Sequence, residues 1–202
     1  MSDSGNDAGS PADSLGDSAL PDPQTPPLRL VRGTAAIDDL DEFLAATTEI
    51  AAETGVVVQA FDADFVVSET HLREATRLAA RAIARGETVA RDPGVEILLY
   101  AAGTRQIDRA LELGVSEGER RIVVLVGDFG GVSGAERPDA DLDDAAAAVA
   151  ELVDSAGASE SAAFDSDRVR EFYDISDREL AATAGDVPDI VRERVALLDV
   201  EK

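Results

Sequence analysis

Two short β-branched runs set the tightest limits on what this chain can become: Val56-Val57-Val58, continued by Ala60 and Phe61, and Ile122 to Val126. Both read as buried strands and as neighbours in one sheet. Leu28 to Val31 begins a further strand. Helical spacing surrounds them. Ile37, Leu40, Phe43, Leu44 and Ile50 recur at that spacing until Gly55, and Ser68 caps a helix carrying Leu72, Ala75, Ala79, Ala82 and Ile83 that closes near Gly86. Leu142 to Val153 is an alanine-rich helix, and the C-terminal third holds helical patterns around Asp177 to Ala184 and Pro188 to Leu197, with Arg194 to Val200 read as an ending edge strand. Strands interspersed with more numerous helices give an α/β (α+β) class: a small mixed sheet covered by several helices, with strand order left open.

The chain of 202 residues suits one domain, placed at 28–202, behind a tail at 1–27. The tail is rich in Ser, Asp, Gly, Pro and Ala, buries too little apolar surface to fold, and reads as disordered and acidic. No cysteine is present, so disulfides and thiolate metal sites are excluded, and His71, the single histidine, cannot build a histidine-rich site. No apolar run approaches the roughly 20 residues of a membrane span, and no signal-peptide pattern opens the chain, so a cytoplasmic, soluble protein is expected.

Charge narrows the partners. The net charge is −24, and of 18 basic residues only Lys202 is a lysine. Such a surface repels DNA and RNA at low ionic strength. In molar salt the screening length falls to about 3 Å and the objection lapses. Acidic, lysine-poor, alanine-rich chemistry suits that kind of cytoplasm. Counterion release is also weak there, so any RNA would be held by stacking, hydrogen bonds and shape, which a single-stranded end offers and a duplex backbone does not.

A helical joint stands out in the middle. Asp92 can cap a helix with Pro93 in its first position, Val95 to Ala102 continues it, and Gly103 ends it. Thr104 is a candidate cap for a second helix with Ile107, Ala110 and Leu111 on one face, stopping at Gly114-Val115, with Arg105 and Gln106 in its first turn. Backbone donors beside a guanidinium make an anion site, or the joint simply packs.

The run Glu96 to Ile107, EILLYAAGTRQI, with the following Ala110 to Val115, resembles the signature of the kinase-binding regulatory subunit of KEOPS, the PRPK-binding protein family. The resemblance extends from about Leu28 to the C-terminus, through Val56 to Asp64 and Arg192 to Val200, and with the composition it points to an archaeal, halophile-like member. It implies a non-catalytic part of the complex that makes threonylcarbamoyladenosine in tRNA, with no cofactor. The implied partners are the kinase-like subunit and the tRNA 3′ CCA end, with other KEOPS subunits met indirectly and no DNA. The residues expected at the RNA are Arg91, Tyr100, Gly103, Thr104, Arg105, Gln106 and Arg109. Ile190, Val191, Val195 and Leu198 form an amphipathic stripe expected at the kinase-like subunit, or packed on the protein's own sheet.

Each constellation also has a plainer reading. Arg73, Arg77, Arg81 and Arg85 form a row at four-residue steps, and residues 71–109 hold seven Arg against five Asp or Glu, a local excess of two. The row serves a ligand or pairs with acids such as Glu69 and Glu74. Tyr100 stacks on a base or sits in the core. Asp62-Ala63-Asp64-Phe65-Val66 resembles the nucleophile loop of haloacid-dehalogenase-type, magnesium-dependent phosphatases. That chemistry needs a lysine for the phosphoryl group, and the only lysine is the last residue, so Asp62 and Asp64 read better as turn and capping residues. Asp128-Phe129-Gly130 lacks every companion motif of a kinase, and Gly127 to Gly134 reads as a flexible connection. A regulator that binds protein alone, without RNA, is the remaining alternative.

Overall fold

A computed structural model describes residues 25–154 and 164–200. The tail expected at 1–27 lies almost wholly outside the described residues.

Three strands form one sheet: β1 (Leu28–Ile37), β2 (Val57–Asp62) and β3 (Gly118–Gly127), in the order β1-β3-β2. Both pairings are antiparallel, so the sheet is not mixed; Leu30 lies opposite Leu125 and Ala60 opposite Val124. The two runs singled out in the sequence are indeed neighbours. Strand β1 runs six residues past Val31 because its second half pairs with the start of β3, down to Ile37 opposite Gly118. Gly33 and two alanines in that half carry little intrinsic strand preference, and the cross-strand ladder overrides them. Gly33 is also a point of close approach: a Cβ there would stand 2.4 Å from Val153 Cγ1, beside the bridge in which Thr34 and Asp154 exchange backbone hydrogen bonds.

Both faces of the sheet are covered along the second half of β3, which is why Ile122 to Val126 are apolar without alternation. Ile122, Val124 and Val126, with Ala60 of β2, face a smaller core closed by α1 (Leu40–Thr54) and α5 (Leu142–Leu152) through Ile50, Ala145 and Val149. Val123 and Leu125, with Val57 and Phe61, face a larger core under α2 (Glu69–Arg85), α3 (Pro93–Ala101) and α8 (Val187–Val200). Short helices α4 (Ile107–Leu111), α6 (Ser166–Phe172) and α7 (Asp177–Ala182) complete the chain.

Several aspartates serve helix starts. The carboxylates of Asp39, Asp141 and Asp165 each accept a backbone N–H in the first turn of α1, α5 and α6, at 3.0 Å. Ser68 does the same for α2, accepting from His71 N at 3.1 Å. Ile37, read as the first apolar position of a helix, instead ends β1, and α1 starts after the Asp39 cap.

The edge strand expected over Arg194 to Val200 is instead the second half of α8. Val191, Val195 and Leu198 recur at i, i+4 and i+7, the spacing of one helical face, and that face is buried against α2 and α3. Alanines 75, 79 and 82 of α2 are wholly buried and let these helices come close.

Candidate functional site

Asp92 Oδ1 accepts from Val95 N at 3.1 Å, and Pro93 opens α3, as the sequence implied. Glu96, in the first turn, is 2% exposed, and its Oε2 accepts from Val89 N at 3.1 Å and Ala90 N at 2.8 Å. One buried carboxylate thereby pins the connection between α2 and α3, and with it Arg91, to the helix. Arg91 is exposed and makes no hydrogen bond or ion pair among the described residues.

The far end of α3 closes on Gly103, at φ 60°. Gly103 N donates to Tyr100 O at 2.9 Å and Thr104 N to Leu99 O at 3.1 Å, the paired bonds of a left-handed helix stop. A Cβ on Gly103 would lie 3.2 Å from Arg194 Cβ, so the stop is also where α8 crosses. Thr104 does not cap the next helix. Its Oγ1 accepts from Gln106 N at 3.2 Å inside the turn, α4 begins at Ile107, and the capping position falls on Gln106 without a side-chain bond. Arg105 and Gln106 thus precede a five-residue helix rather than forming its first turn.

Two side chains of this joint are turned to the C-terminal helix. Arg105 Nη2 donates to Leu198 O at 3.0 Å, and Tyr100 OH donates to Asp199 Oδ1 at 3.3 Å. Tyr100 is 2% exposed. Burial first, then the carboxylates of Asp199 and Glu96, push its phenol well above the usual range, so it stays protonated. Arg109 donates to Phe172 O and places its guanidinium 4.9 Å from the centre of that ring, tying α4 to α6. Beneath α3, the Ala101 carbonyl accepts from Tyr173 OH at 2.7 Å and sits 2.9 Å from His71 Nε2. His71 is fully buried, and desolvation holds its pKa down at about 4.

Arg91 and Arg105 therefore flank opposite ends of α3, a helix about 14 Å long at ~1.5 Å per residue, rather than lying next to each other in the chain. Arg91, Gln106 and Arg109 are exposed; Gly103, Thr104 and Arg105 are half-buried. The stripe of Ile190, Val191, Val195 and Leu198 is buried at 2, 0, 0 and 8% exposure, so it packs inside the molecule and is no outer surface. The outward face of α8 carries Arg192, Glu193, Ala196, Leu197 and Val200, with Val200 76% exposed. That face was not singled out in the sequence, although the same helical spacing, read one step round, contains it.

Three of the four arginines in the row are spent on ion pairs: Arg73 with Glu69 at 2.6 Å, Arg77 with Glu74 at 2.7 Å and Arg81 with Asp199 at 3.5 Å. Asp62 Oδ1 accepts from Asp64 N at 2.9 Å, the turn role. The two carboxylates then converge on Arg168, at 3.0 and 2.8 Å, with Arg121 also on Asp64 and the Arg168 guanidinium 4.3 Å from the centre of the Phe65 ring. This cluster joins α6 to the end of β2, and arginine occupies the carboxylates that a phosphatase would give to substrate and metal. Asp128 Oδ1 accepts from Gly130 N at 2.9 Å, another turn. Among the described residues no three His, Cys, Asp or Glu stand where they would hold a metal, and no helix is long and apolar enough to cross a membrane.

A three-stranded antiparallel sheet covered on both faces by helices defines a small α/β domain. More narrowly, the chain belongs to the kinase-binding protein CGI-121 family, whose model matches residues 38–199. No individual curated protein matches it.

Proposed function

We propose that this protein is the regulatory subunit of a KEOPS complex, a non-catalytic adaptor that binds the kinase-like subunit and the 3′ CCA end of tRNA during threonylcarbamoyladenosine modification. The family match over residues 38–199 carries the reading. The exposed apolar side chains of Leu197 and Val200, on the outward face of α8, are the partner surface we assign in place of the buried stripe. Arg91, with Gln106 and Arg109 beyond the other end of α3, is the RNA side, and Gly103, Thr104 and Arg105 shape the turn between them. No cofactor enters. Tethering one end of the tRNA raises the effective concentration of its anticodon loop at a partner's active site, so the contribution is geometric. The domain spans residues 28–202 behind an acidic tail, and the working environment is a salt-rich archaeal cytoplasm.

The protein-only regulator is a second reading, favoured by one observation: Tyr100, Arg105 and Arg109 all engage partners within the chain. Binding of intact tRNA and of tRNA lacking its CCA end, in molar KCl, separates the two. Loss on trimming supports the adaptor for RNA; no binding to either leaves the protein-only regulator. In parallel, Leu197→Asp combined with Val200→Asp should abolish capture of the kinase-like subunit without lowering the melting temperature. Unchanged capture would remove this face from the interface.

A further inference from the structure

Among the features left without a role is a cavity of about 330 Å³ between the C-terminus of α2 and the start of α3. Arg91, Arg137, Thr88 and Asp92 supply its polar wall, and Gly86 and Gly134 contribute bare backbone. That volume sits at the lower end of the range for small-molecule sites, about 300–1,000 Å³. Charge is what sets it apart. Two arginines and one aspartate line it in a molecule of net charge −24, so this is a local reversal of sign, where field lines from a concave wall concentrate an anion.

The competing groups are already satisfied. Asp92 Oδ1 is committed to Val95 N. The carbonyls of Ala82 and Ile83 at the end of α2, which would repel an anion, accept from Glu87 N and Gly86 N at 3.0 Å. Arg137 spends Nη1 on Val56 O at 3.4 Å, just ahead of β2. Arg91 spends nothing among the described residues, yet its loop is anchored by buried Glu96. An unpaired guanidinium on a fixed loop, with a second arginine lining the same cavity, matches the bidentate, planar recognition that arginine gives phosphate.

We propose that this cavity is a binding site for a phosphate group. Arg91 makes the principal contact, Arg137 adds charge from the segment between β3 and α5, and Thr88 offers a hydroxyl. The phosphate comes from a free nucleotide or from an RNA terminus, and only for the second source does the inference rest on the RNA reading above.

The test uses the full chain in 0.5 M KCl, titrated calorimetrically with inorganic phosphate, adenosine monophosphate and adenosine. Phosphate and adenosine monophosphate should bind saturably at one site and adenosine should not. Arg91→Gln should weaken binding at least tenfold, whereas Arg178→Gln, which removes an exposed arginine from α7, should leave it unchanged. Absence of saturable binding, or equal weakening by both substitutions, overturns the site. Intact tRNA then separates this outcome from the function proposed above. Phosphate binding without tRNA binding upholds the pocket and removes the RNA reading; tRNA binding indifferent to Arg91→Gln, with no phosphate bound, does the reverse.

Discussion

Replacing His71 by Gln tests the interior directly. Both the His71 ring and Tyr173 OH approach Ala101 O, and a carbonyl only accepts, so the ring is protonated at Nε2 and bare at Nδ1. Nδ1 is buried without a hydrogen-bond partner, so a second proton there would leave a charge in an apolar core. The folded pKa is accordingly held down from 6.5 to about 4. Between these values the unfolded chain binds a proton that the folded chain refuses, so stability falls as pH drops from about 6.5 and the loss is complete near 4. At ~1.36 kcal/mol per pH unit the gap amounts to about 3 kcal/mol. Urea unfolding of the parent and His71→Gln, every half unit from pH 7 to 4 at constant KCl, isolates this contribution, because the carboxylates titrate alike in both. The variant should be less stable at pH 7, and its deficit should shrink by about 3 kcal/mol on acidification. A deficit constant across that range would refute the neutral, desolvated histidine.

Gly103→Ala should lower stability by about 1–2 kcal/mol, the cost of a left-handed conformation for an L-residue. Calorimetry checks it, and an unchanged melting temperature would mean the turn relaxes freely. Arg105→Ala should cost about 1 kcal/mol and speed amide exchange in the last turn of α8, because Leu198 O loses its donor. Exchange unaltered there would show that the guanidinium does not hold the helix. Leu198→Asp should unfold the protein at moderate denaturant where Leu197→Asp does not, since Leu198 is 8% exposed and Leu197 41%. Circular dichroism melts of the two variants report the difference.

The core of the fold was legible because it is written in local pattern. Val56 to Phe61 and Ile122 to Val126 are β-branched and unbroken, Ser68 and Asp92 stand where caps belong, and Gly103 stands where a helix must reverse. What escaped the sequence depends on distant partners. The second half of β1 is a strand only because β3 lies beside it. Arg168 meets Asp62 and Asp64 across 106 and 104 residues of chain, so no local spacing announces the cluster that displaces the phosphatase reading. The stripe of Ile190, Val191, Val195 and Leu198 was read correctly as an apolar face. Amphipathicity says that such a face is covered, not by what, and here α2 and α3 cover it.

The same distinction reframes the joint around Gly103. Glu96 holds a loop, Tyr100 and Arg105 hold the end of α8, Ala101 receives two side chains, and Gly103 admits the backbone of Arg194. The residues that carry the family resemblance are thus largely spent on closing the molecule, and their chemical character alone is no guide to what they touch outside it. Function has to be sought where side chains remain uncommitted, and two such places stand out: Arg91 at the start of α3, and Leu197 and Val200 on the far side of α8. Arg105 stands between them, because its bond to Leu198 O links the joint to the helix that presents the apolar pair. A ligand that recruited Arg105 would release that carbonyl, so the RNA side and the partner side proposed above would be mechanically coupled through it.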